Sequence, residues 1–333
     1  MVALRQTPLY PLRFEPLYQY RLWGGRRLRN FLAAPLPGDG PIGEAWLLSD
    51  RDDHPSKVLD GALKGATIRQ LMETSPEQLM GKLAGRFDRF PLLLKFLDVQ
   101  TRLSVQVHPS DAHPELIPAG DTGKTEAWVV LETGPDSRIY AGLKPNADAA
   151  ALLAALAEDS VAEQLASFTP ELRDTVLVPA GTVHSLRDIV VFEVQQNSDV
   201  TFRLYDWDQI DPETGQHRAL QVAQSMACID FSEGAGHAVA PLVEATRPVL
   251  RELLIHCDQF QVTRISGQAA FQVEAAGVPH ALVCLAGAGS LQYAGASFPF
   301  EVGDALLLPA VVEACSCVPQ GAVCLLDISV PAA

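Results

Sequence analysis

The alternation of apolar and polar positions predicts β-strands along most of the chain. Residues 90–99, F-P-L-L-L-K-F-L-D-V, form a nearly continuous apolar run with the length of a fully buried strand. From residue 250 onward, short strand-like runs alternate with glycine-rich turns, which is typical of a β-sandwich or jelly roll. Pro and Gly interrupt residues 8–60, where we expect loops and short strands.

Helical spacing occurs in a few stretches only. Residues 67–85 predict two short helices, with Ser75-Pro76-Glu77 as the cap and first turn between them. Residues 145–168 are rich in Ala and Leu and form the clearest helical region, and a short helix is expected around 216–231. The pattern therefore predicts a mainly β fold with a few inserted α-helices.

A weakly patterned, polar segment at residues 232–249 marks the expected domain boundary, with domains at residues 1–240 and 245–333. Residues 174–180, D-T-V-L-V-P-A, match residues 304–310, D-A-L-L-L-P-A. Each copy resembles the same strand of a cupin-type jelly-roll barrel, so we expect two such barrels.

The continuation of this repeat differs between the two copies. The first copy continues to His184, whereas the second has Ala314 at the corresponding position. If the repeat is real, the first barrel carries a metal and the C-terminal barrel lacks metal ligands.

The stretch Leu103–Asp111, L-S-V-Q-V-H-P-S-D, carries the first candidate chemistry. In a strand, Gln106 and His108 share one face while Val105 and Val107 face the opposite side. One interpretation is a binding site, and the other is a half-buried strand with two polar residues turned to water.

Two further polar residues follow predicted strands and complete a candidate metal site. Two imidazoles, a carboxylate and an amide oxygen suit a divalent ion such as Zn²⁺ with a position left open, although Mn²⁺, Co²⁺ or Fe²⁺ are also compatible. Each residue alone has a plain structural explanation, and the metal interpretation rests on the set. The candidate ligands are Gln106, His108, Glu126 and His184.

Composition and charge narrow the classes of partner. The net charge of −15 disfavours nucleic acid, because binding phosphates requires a basic surface. No stretch approaches about 18 uninterrupted apolar residues, so no membrane span is predicted, and the N-terminal 12 residues lack the apolar core of a secretion signal. The six Cys lie in the last third without a C-x-x-C pair, as expected of free thiols in a cytoplasmic protein.

Four motifs follow one another in register along the chain. They are L-L-L-K-F-L-D-V-Q-T-R-L-S-V-Q-V-H-P-S-D, G-K-T-E-A-W, V-P-A-G-T-V-H-S-L and F-E-V-Q-Q-N-S-D-V-T-F-R-L-Y-D-W-D. From about Trp23 to Asp208 the sequence resembles type I phosphomannose isomerases, in particular their short bacterial branch. The resemblance implies one Zn²⁺ per chain and a metal-dependent interconversion of mannose 6-phosphate and fructose 6-phosphate. It also assigns the four candidate ligands to zinc and Arg203 to the position of the family's catalytic arginine.

An aldose–ketose isomerisation through an enediol requires a base, a group that stabilises the enediolate oxygen and an anchor for the phosphate. Glu193, Asp199 and Lys124 are the candidate bases. Ser104, Lys124 and Arg203 are the candidate substrate contacts. For Arg203 the alternative is an ion pair with Asp199 or with Asp206, and Asp199 and Arg203 face the same way only if they share a strand.

Two departures from the family pattern bear on the substrate. The sequence lacks the expected second carboxylate after Trp46, and the stretch after Asp208 offers only Arg218 as a cation for phosphate. The alternatives are an isomerase of a related sugar and a non-catalytic bicupin that binds a sugar or senses a metabolite. We expect a monomer or homodimer with a small-molecule partner, without nucleic acid or membrane.

Overall fold

The protein was analysed as a computed structural model that describes residues 7–211 and 214–332. Part of the segment for which no secretion signal was predicted, residues 1–6, lies outside the described residues. Within these described residues, 22 strands fall into four sheets. They are β1 Leu12–Arg13, β2 Leu17–Gly25, β3 Ile42–Leu48, β4 Asp50–Arg51, β5 His54–Pro55, β6 Leu92–Arg102, β7 Val105–Val107, β8 Glu126–Leu143, β9 Leu165–Phe168, β10 Thr175–Val178, β11 His184–Gln196, β12 Phe202–Tyr205, β13 Leu242–Ala245, β14 Leu250–His256, β15 Gln261–Gly267, β16 Phe271–Glu274, β17 His280–Ala286, β18 Ala288–Tyr293, β19 Ala296–Glu301, β20 Ala305–Leu308, β21 Ala314–Pro319 and β22 Val323–Ser329.

Four short α-helices connect the strands: α1 Ile68–Thr74, α2 Pro76–Met80, α3 Ala149–Ala157 and α4 Val222–Cys228. Single 3₁₀ turns occur at Arg27–Asn30, Gly81–Leu83, Pro114–Leu116 and Val161–Glu163.

The helix starts follow from local sequence. Thr67 and Gln70 form a reciprocal capping box at the start of α1, and Pro76 occupies the first turn of α2, where its missing N–H costs nothing. The two predicted helices between residues 67 and 85 are therefore confirmed. The prediction of one helix over 145–168 is wrong at its C-terminal end, because Leu165–Phe168 is a strand that pairs with β8.

The larger, nine-stranded sheet places the long strands β8, β11 and β6 side by side, with β10, β2 and β3 outside them. Strand β11 is buried over most of its length, and alternate residues enter two different cores. Ile189 and Val191 pack inside the curled sheet, whereas Val190 and Phe192 pack on its outer face. This two-sided burial explains why the central strands read as continuous apolar runs.

The C-terminal part of the chain, from Leu242 to Ser329, forms a second barrel-like unit. A seven-stranded sheet in the order β1-β20-β17-β22-β15-β14-β13 faces a four-stranded sheet in the order β16-β21-β18-β19. Their inner faces share a core of their own. The outer face of the seven-stranded sheet packs against the outer face of the nine-stranded sheet, so the two units lie back to back.

The predicted mainly β fold with few helices is confirmed, and the sheet pairings are consistent with two jelly rolls. The N-terminal strand β1 pairs with β20, so the start of the chain completes the C-terminal sheet. All six Cys are free, as predicted. None of the described helices is long and apolar enough to cross a membrane.

Candidate metal centre

Three buried side chains converge at one end of the nine-stranded sheet. His108, Glu126 and His184 each offer a ligand atom, and these atoms lie within 4.8 Å of one another. The Glu126 oxygens lie 3.4 Å from His108 Nε2 and 3.3 Å from His184 Nε2. Such a group of two imidazoles and one carboxylate is the donor set of a zinc-type site with an open position.

Strand register brings the three residues together. His184 is the first residue of β11 and pairs with Gln106 of β7, which places His108 two residues beyond that pair. Glu126 is the first residue of β8 and pairs with Val178, the last residue of β10, from which a five-residue turn leads to His184. The turn before β11 is tied to the same place, because the Gly181 N–H donates to the His108 carbonyl oxygen at 2.9 Å.

Both imidazoles are held in the tautomer that a metal requires. His108 Nδ1 donates to the Val200 carbonyl oxygen at 2.8 Å, and His184 Nδ1 donates to the Thr182 carbonyl oxygen at 2.8 Å. Because a carbonyl oxygen only accepts, each Nδ1 carries the hydrogen and each Nε2 keeps its lone pair for the centre. The residues present therefore fit a divalent ion.

Burial and charge keep the site ready for a metal. Burial, reinforced by the nearby Lys124 ammonium, lowers the pKa of His108 to about 3, and burial also lowers the pKa of His184. Burial alone would raise the pKa of Glu126, but Lys124 and His184 outweigh it and hold that pKa well below its usual value. Neutral imidazoles and an ionised carboxylate are the protonation states of metal ligands.

Gln106, the fourth candidate ligand, lies beside the triad and is partly buried. Its amide nitrogen lies 3.1 Å from His184 Nε2 and donates to that lone pair. A half turn of the amide presents Oε1, the ligand atom, at the same place. Gln106 is therefore positioned to join the site, although it does not belong to the group of three that the structure brings into ligand geometry.

Lys124 lies at the centre of this arrangement. Its ammonium is 2.8 Å from Glu126 Oε2 and 2.9 Å from His108 Nε2, and the side chain is buried. It precedes the first residue of β8 by two positions, and its backbone N–H donates to the Pro109 carbonyl oxygen. Its positive charge lies against the negative charge of Glu126.

A buried ionic chain adjoins the triad, and sequence reasoning missed most of it. Lys95 lies 2.9 Å from Glu193 Oε1 and 3.9 Å from Glu44 Oε2. Trp128 Nε1 donates to the other oxygen of Glu193 at 3.0 Å, and Trp46 Nε1 donates to Glu44 at 2.6 Å. The signal was available: a single lysine in the apolar run L-L-L-K-F-L must find a buried partner.

The pKa values of the ionisable groups in this buried ionic chain are shifted from their usual values. Burial opposes ionisation of Glu44, but Lys95 and Arg21 outweigh it and lower the pKa of Glu44 to about 2. Burial likewise opposes the charge of Lys95, and the adjacent Glu193 overcomes it and raises the pKa of Lys95. The pKa of Glu193 is raised, first by burial and then by Glu126. Of the two carboxyl groups that face Lys95, Glu193 therefore accepts a proton more readily than Glu44.

Arg203 lies next to the triad, opposite Gln106 in the pairing of β12 with β7. Its Nη1 donates to the Ala219 carbonyl oxygen at 2.8 Å, and its buried Nε has no partner among the described residues. The alternative of an ion pair with Asp206 is wrong, because Asp206 pairs with Arg218 at 2.5 Å. Arg218 is thereby committed to that pair.

The remaining candidates are less central. Asp199 is exposed and precedes β12, so the premise that it shares a strand with Arg203 is wrong. Ser104 is buried immediately before β7, on the side of that strand where Gln106 lies.

Comparison with known proteins places this site in a family. A family model for "Phosphomannose isomerase type I, catalytic domain" matches residues 12–127. The mannose-6-phosphate isomerase ManA of Bacillus subtilis (strain 168) is 35% identical over 305 residues, which cover 90% of this chain and 93% of that protein. The chain belongs to the type I phosphomannose isomerase family.

Other members agree with this assignment. A mannose-6-phosphate isomerase of Streptococcus mutans is 32% identical over 309 residues, covering 91% of this chain and 93% of the relative. The crystal structure of the mannose 6-phosphate isomerase from Bacillus subtilis superposes with a TM-score of 0.87 at 27% identity, covering 96% of this chain and 99% of the other. A zinc-bound mannose 6-phosphate isomerase shares the fold, with a TM-score of 0.75 at 16% identity.

Proposed function

We propose that this family member is a zinc-dependent isomerase that interconverts mannose 6-phosphate and fructose 6-phosphate through an enediol. The convergence of His108, Glu126 and His184, with both imidazoles held in the ligating tautomer, is the observation that carries the proposal. Relatives that bear this activity in their names support the substrate. These three residues and Gln106 would hold the divalent ion, which would supply Lewis acidity to substrate oxygens.

We assign the proton transfer between C1 and C2 to Glu193, in preference to Asp199 and Lys124. Glu193 is buried beside the triad and its pKa is raised by burial and by Glu126, which favours a group that takes and returns a proton. Asp199 is exposed, and the Lys124 ammonium is a donor that has no lone pair with which to accept a proton.

Arg203 and Lys124, the two cations of the site, are assigned to binding the negatively charged groups of the substrate. Arg203 has an unpaired, buried guanidinium nitrogen on the Gln106 side of β12, so it is available to an enediolate oxygen or to the phosphate. Lys124 contributes a second positive charge next to the ligands, and Ser104 offers a hydroxyl for a substrate oxygen.

The alternatives are less well supported. A non-catalytic sugar-binding or metabolite-sensing bicupin would not need an unpaired guanidinium beside a ligand set, and relatives at 31–35% identity over most of the chain are named as isomerases. We also propose a cytoplasmic monomer or homodimer that has no nucleic-acid or membrane partner. The division into residues 1–240, which carry the chemistry, and residues 245–333 belongs to the same proposal.

A coupled assay tests the activity directly. Purified protein is given mannose 6-phosphate before chelation, after removal of all metal, and after Zn²⁺ is restored. We expect fructose 6-phosphate to form, its formation to stop on chelation and to return with Zn²⁺. Full turnover in the absence of any metal would refute the metal dependence, and turnover of free mannose but not of mannose 6-phosphate would refute the substrate.

A further inference from the structure

A second polar cavity lies in the C-terminal barrel, far from the metal centre in sequence. It has a volume of about 390 Å³, within the usual range for small-molecule sites. The residues around it come from strands β13 to β17 and from β22. They are Glu244, Arg251, Gln261, Thr263, Gln272, Glu274, His280 and Asp327.

Strand order relates this cavity to the metal centre. The matching segments at residues 174–180 and 304–310 form β10 and β20. The nine-stranded sheet contains the order β10-β8-β11-β6, and the seven-stranded sheet contains the order β20-β17-β22-β15, with antiparallel pairing at each step. The two sheets therefore share one strand arrangement. A residue of the first sheet corresponds to the residue of the second sheet that has the same position in the strand pairing.

The register gives the first correspondence. Val178 pairs with Glu126 in the first barrel, and Leu308, at the matching position of the repeat, pairs with His280 in the second. His280 therefore stands where the first barrel has its carboxylate ligand.

The next strands extend the correspondence. Glu126 pairs with Gln195 and His280 pairs with Ser329, so the residues two positions earlier, Glu193 and Asp327, also correspond. On the following strand, Glu193 pairs with Lys95 in the first barrel, and Asp327 pairs with Thr263 in the second. Asp327 thus stands in place of the carboxylate that we assign as the base, and Thr263 in place of its lysine partner. Each side chain points to the inside of its own barrel, as shown by the neighbours at alternate positions that form the two inner cores.

The second cavity has kept polar side chains but not a metal site. His280 Nδ1 lies 2.7 Å from Asp327 Oδ1 and donates to it, and Ala314 stands where the first barrel has His184. Across the described parts of the chain, His108, Glu126 and His184 are the group with metal-ligand spacing. A different ligand chemistry is required in the C-terminal barrel.

The lining determines the class of that ligand. Three carboxylates, Glu244, Glu274 and Asp327, face one guanidinium, that of Arg251, so the local charge disfavours a phosphate or another anion. Carboxylates accept hydrogen bonds and the guanidinium donates them, and hydroxyl groups do both. A molecule with several hydroxyls and no charge satisfies both kinds of group at once.

The wall of the cavity also offers a hydroxyl to such a partner. Thr263 is only 5% exposed, it lines the cavity, and its hydroxyl makes no hydrogen bond within the described residues. This hydroxyl is therefore available to donate to, and to accept from, a molecule bound in the cavity. We propose that this cavity binds a neutral polyhydroxylated small molecule, a free sugar or polyol without phosphate.

The test measures binding of D-mannose, D-fructose and D-mannitol to the zinc-loaded protein by isothermal titration calorimetry, with mannose 6-phosphate as the anionic comparison. The variants are Thr263→Val, which removes the Thr263 hydroxyl, and Glu274→Gln, whose exposed side chain keeps the risk of misfolding low. Glu301→Gln, an exposed carboxylate on β19, is the matched control, and Glu126→Gln reports binding at the metal centre.

We expect at least one neutral probe to bind, with affinity reduced about tenfold in Thr263→Val and in Glu274→Gln and unchanged in Glu301→Gln and Glu126→Gln. Isomerase turnover should be unaffected by Thr263→Val and Glu274→Gln. The proposal is overturned if none of the three probes binds at millimolar concentration, if binding is lost in Glu126→Gln, or if both cavity variants bind like wild type. Tighter binding of mannose 6-phosphate that is lost in the cavity variants would overturn the neutral class.

Discussion

Replacing Lys95 with methionine removes the cation from a buried ionic chain. The Lys95 and Glu193 side chains are 5% and 3% exposed, and the ammonium lies 2.9 Å from the carboxylate. At an effective dielectric constant of 20, that separation corresponds to an attraction of roughly 6 kcal/mol, against which each ion pays several kcal/mol of desolvation. The pair itself therefore contributes little net stability, but breaking it leaves a buried, uncompensated carboxylate.

We expect Lys95→Met to lower the free energy of unfolding by about 3–5 kcal/mol, measured by urea denaturation at pH 7. In the double variant Lys95→Met/Glu193→Gln the buried charge is also removed, so at least half of the loss should be recovered. Lys64→Met, at an exposed lysine, is the control and should change stability by less than about 0.5 kcal/mol.

The result that would refute this reasoning is a loss below about 1 kcal/mol in the single variant. A double variant less stable than Lys95→Met alone would refute it as well, because the cost would then not arise from the uncompensated charge of Glu193.

Four further outcomes are expected. Glu126→Gln should weaken Zn²⁺ binding more than about 100-fold in a chelator competition, and near-normal affinity would contradict its role as a ligand. Glu193→Gln should lower kcat at least about 100-fold while the bound zinc is retained, and an unchanged kcat would exclude it as the base. The metal-free protein should lose stability as the pH falls from 6.5 toward 3. Because His108 has a folded pKa of about 3, the unfolded chain binds more protons in that window, and His108→Asn should flatten the slope. Thr67→Ala, which removes the capping box of α1, should cost about 1 kcal/mol in thermal unfolding, and no shift in Tm would argue against the cap.

The sequence was sufficient for the elements whose determinants are local. The capping box at Thr67, the proline that begins α2 and the apolar run of β6 each specify their element within a few residues. The helix predicted over 145–168 ended too late, because Leu165–Phe168 is fixed by pairing with β8, which no local pattern indicates.

The residues of the candidate site could be predicted from the sequence for a different reason. Gln106 and His108 share a short strand, and the family motifs linked them to Glu126 and His184, which are distant in sequence. The sequence did not indicate the contacts between side chains. Lys124 contacts Glu126 of the triad, and Asp206 pairs with Arg218 and not with Arg203. Such choices depend on which strands become neighbours and are decided only by the fold.

Strand register also extends the internal repeat between the two barrels beyond the segment in which their sequences are similar. The match of residues 174–180 with 304–310 covers a single strand, but the pairings extend it to His280, Asp327 and Thr263. These residues share no identity with their counterparts, so no sequence repeat is detectable there.

A titration of metal-free protein with Zn²⁺, with turnover of mannose 6-phosphate measured at each step, tests the central claim most directly. The account predicts that turnover starts near zero, rises in proportion to added zinc and stops rising at one ion per chain. In the Glu126→Gln variant turnover should stay near zero throughout. Full turnover before any zinc is added, or an equal response in Glu126→Gln, would contradict the assignment of the metal centre.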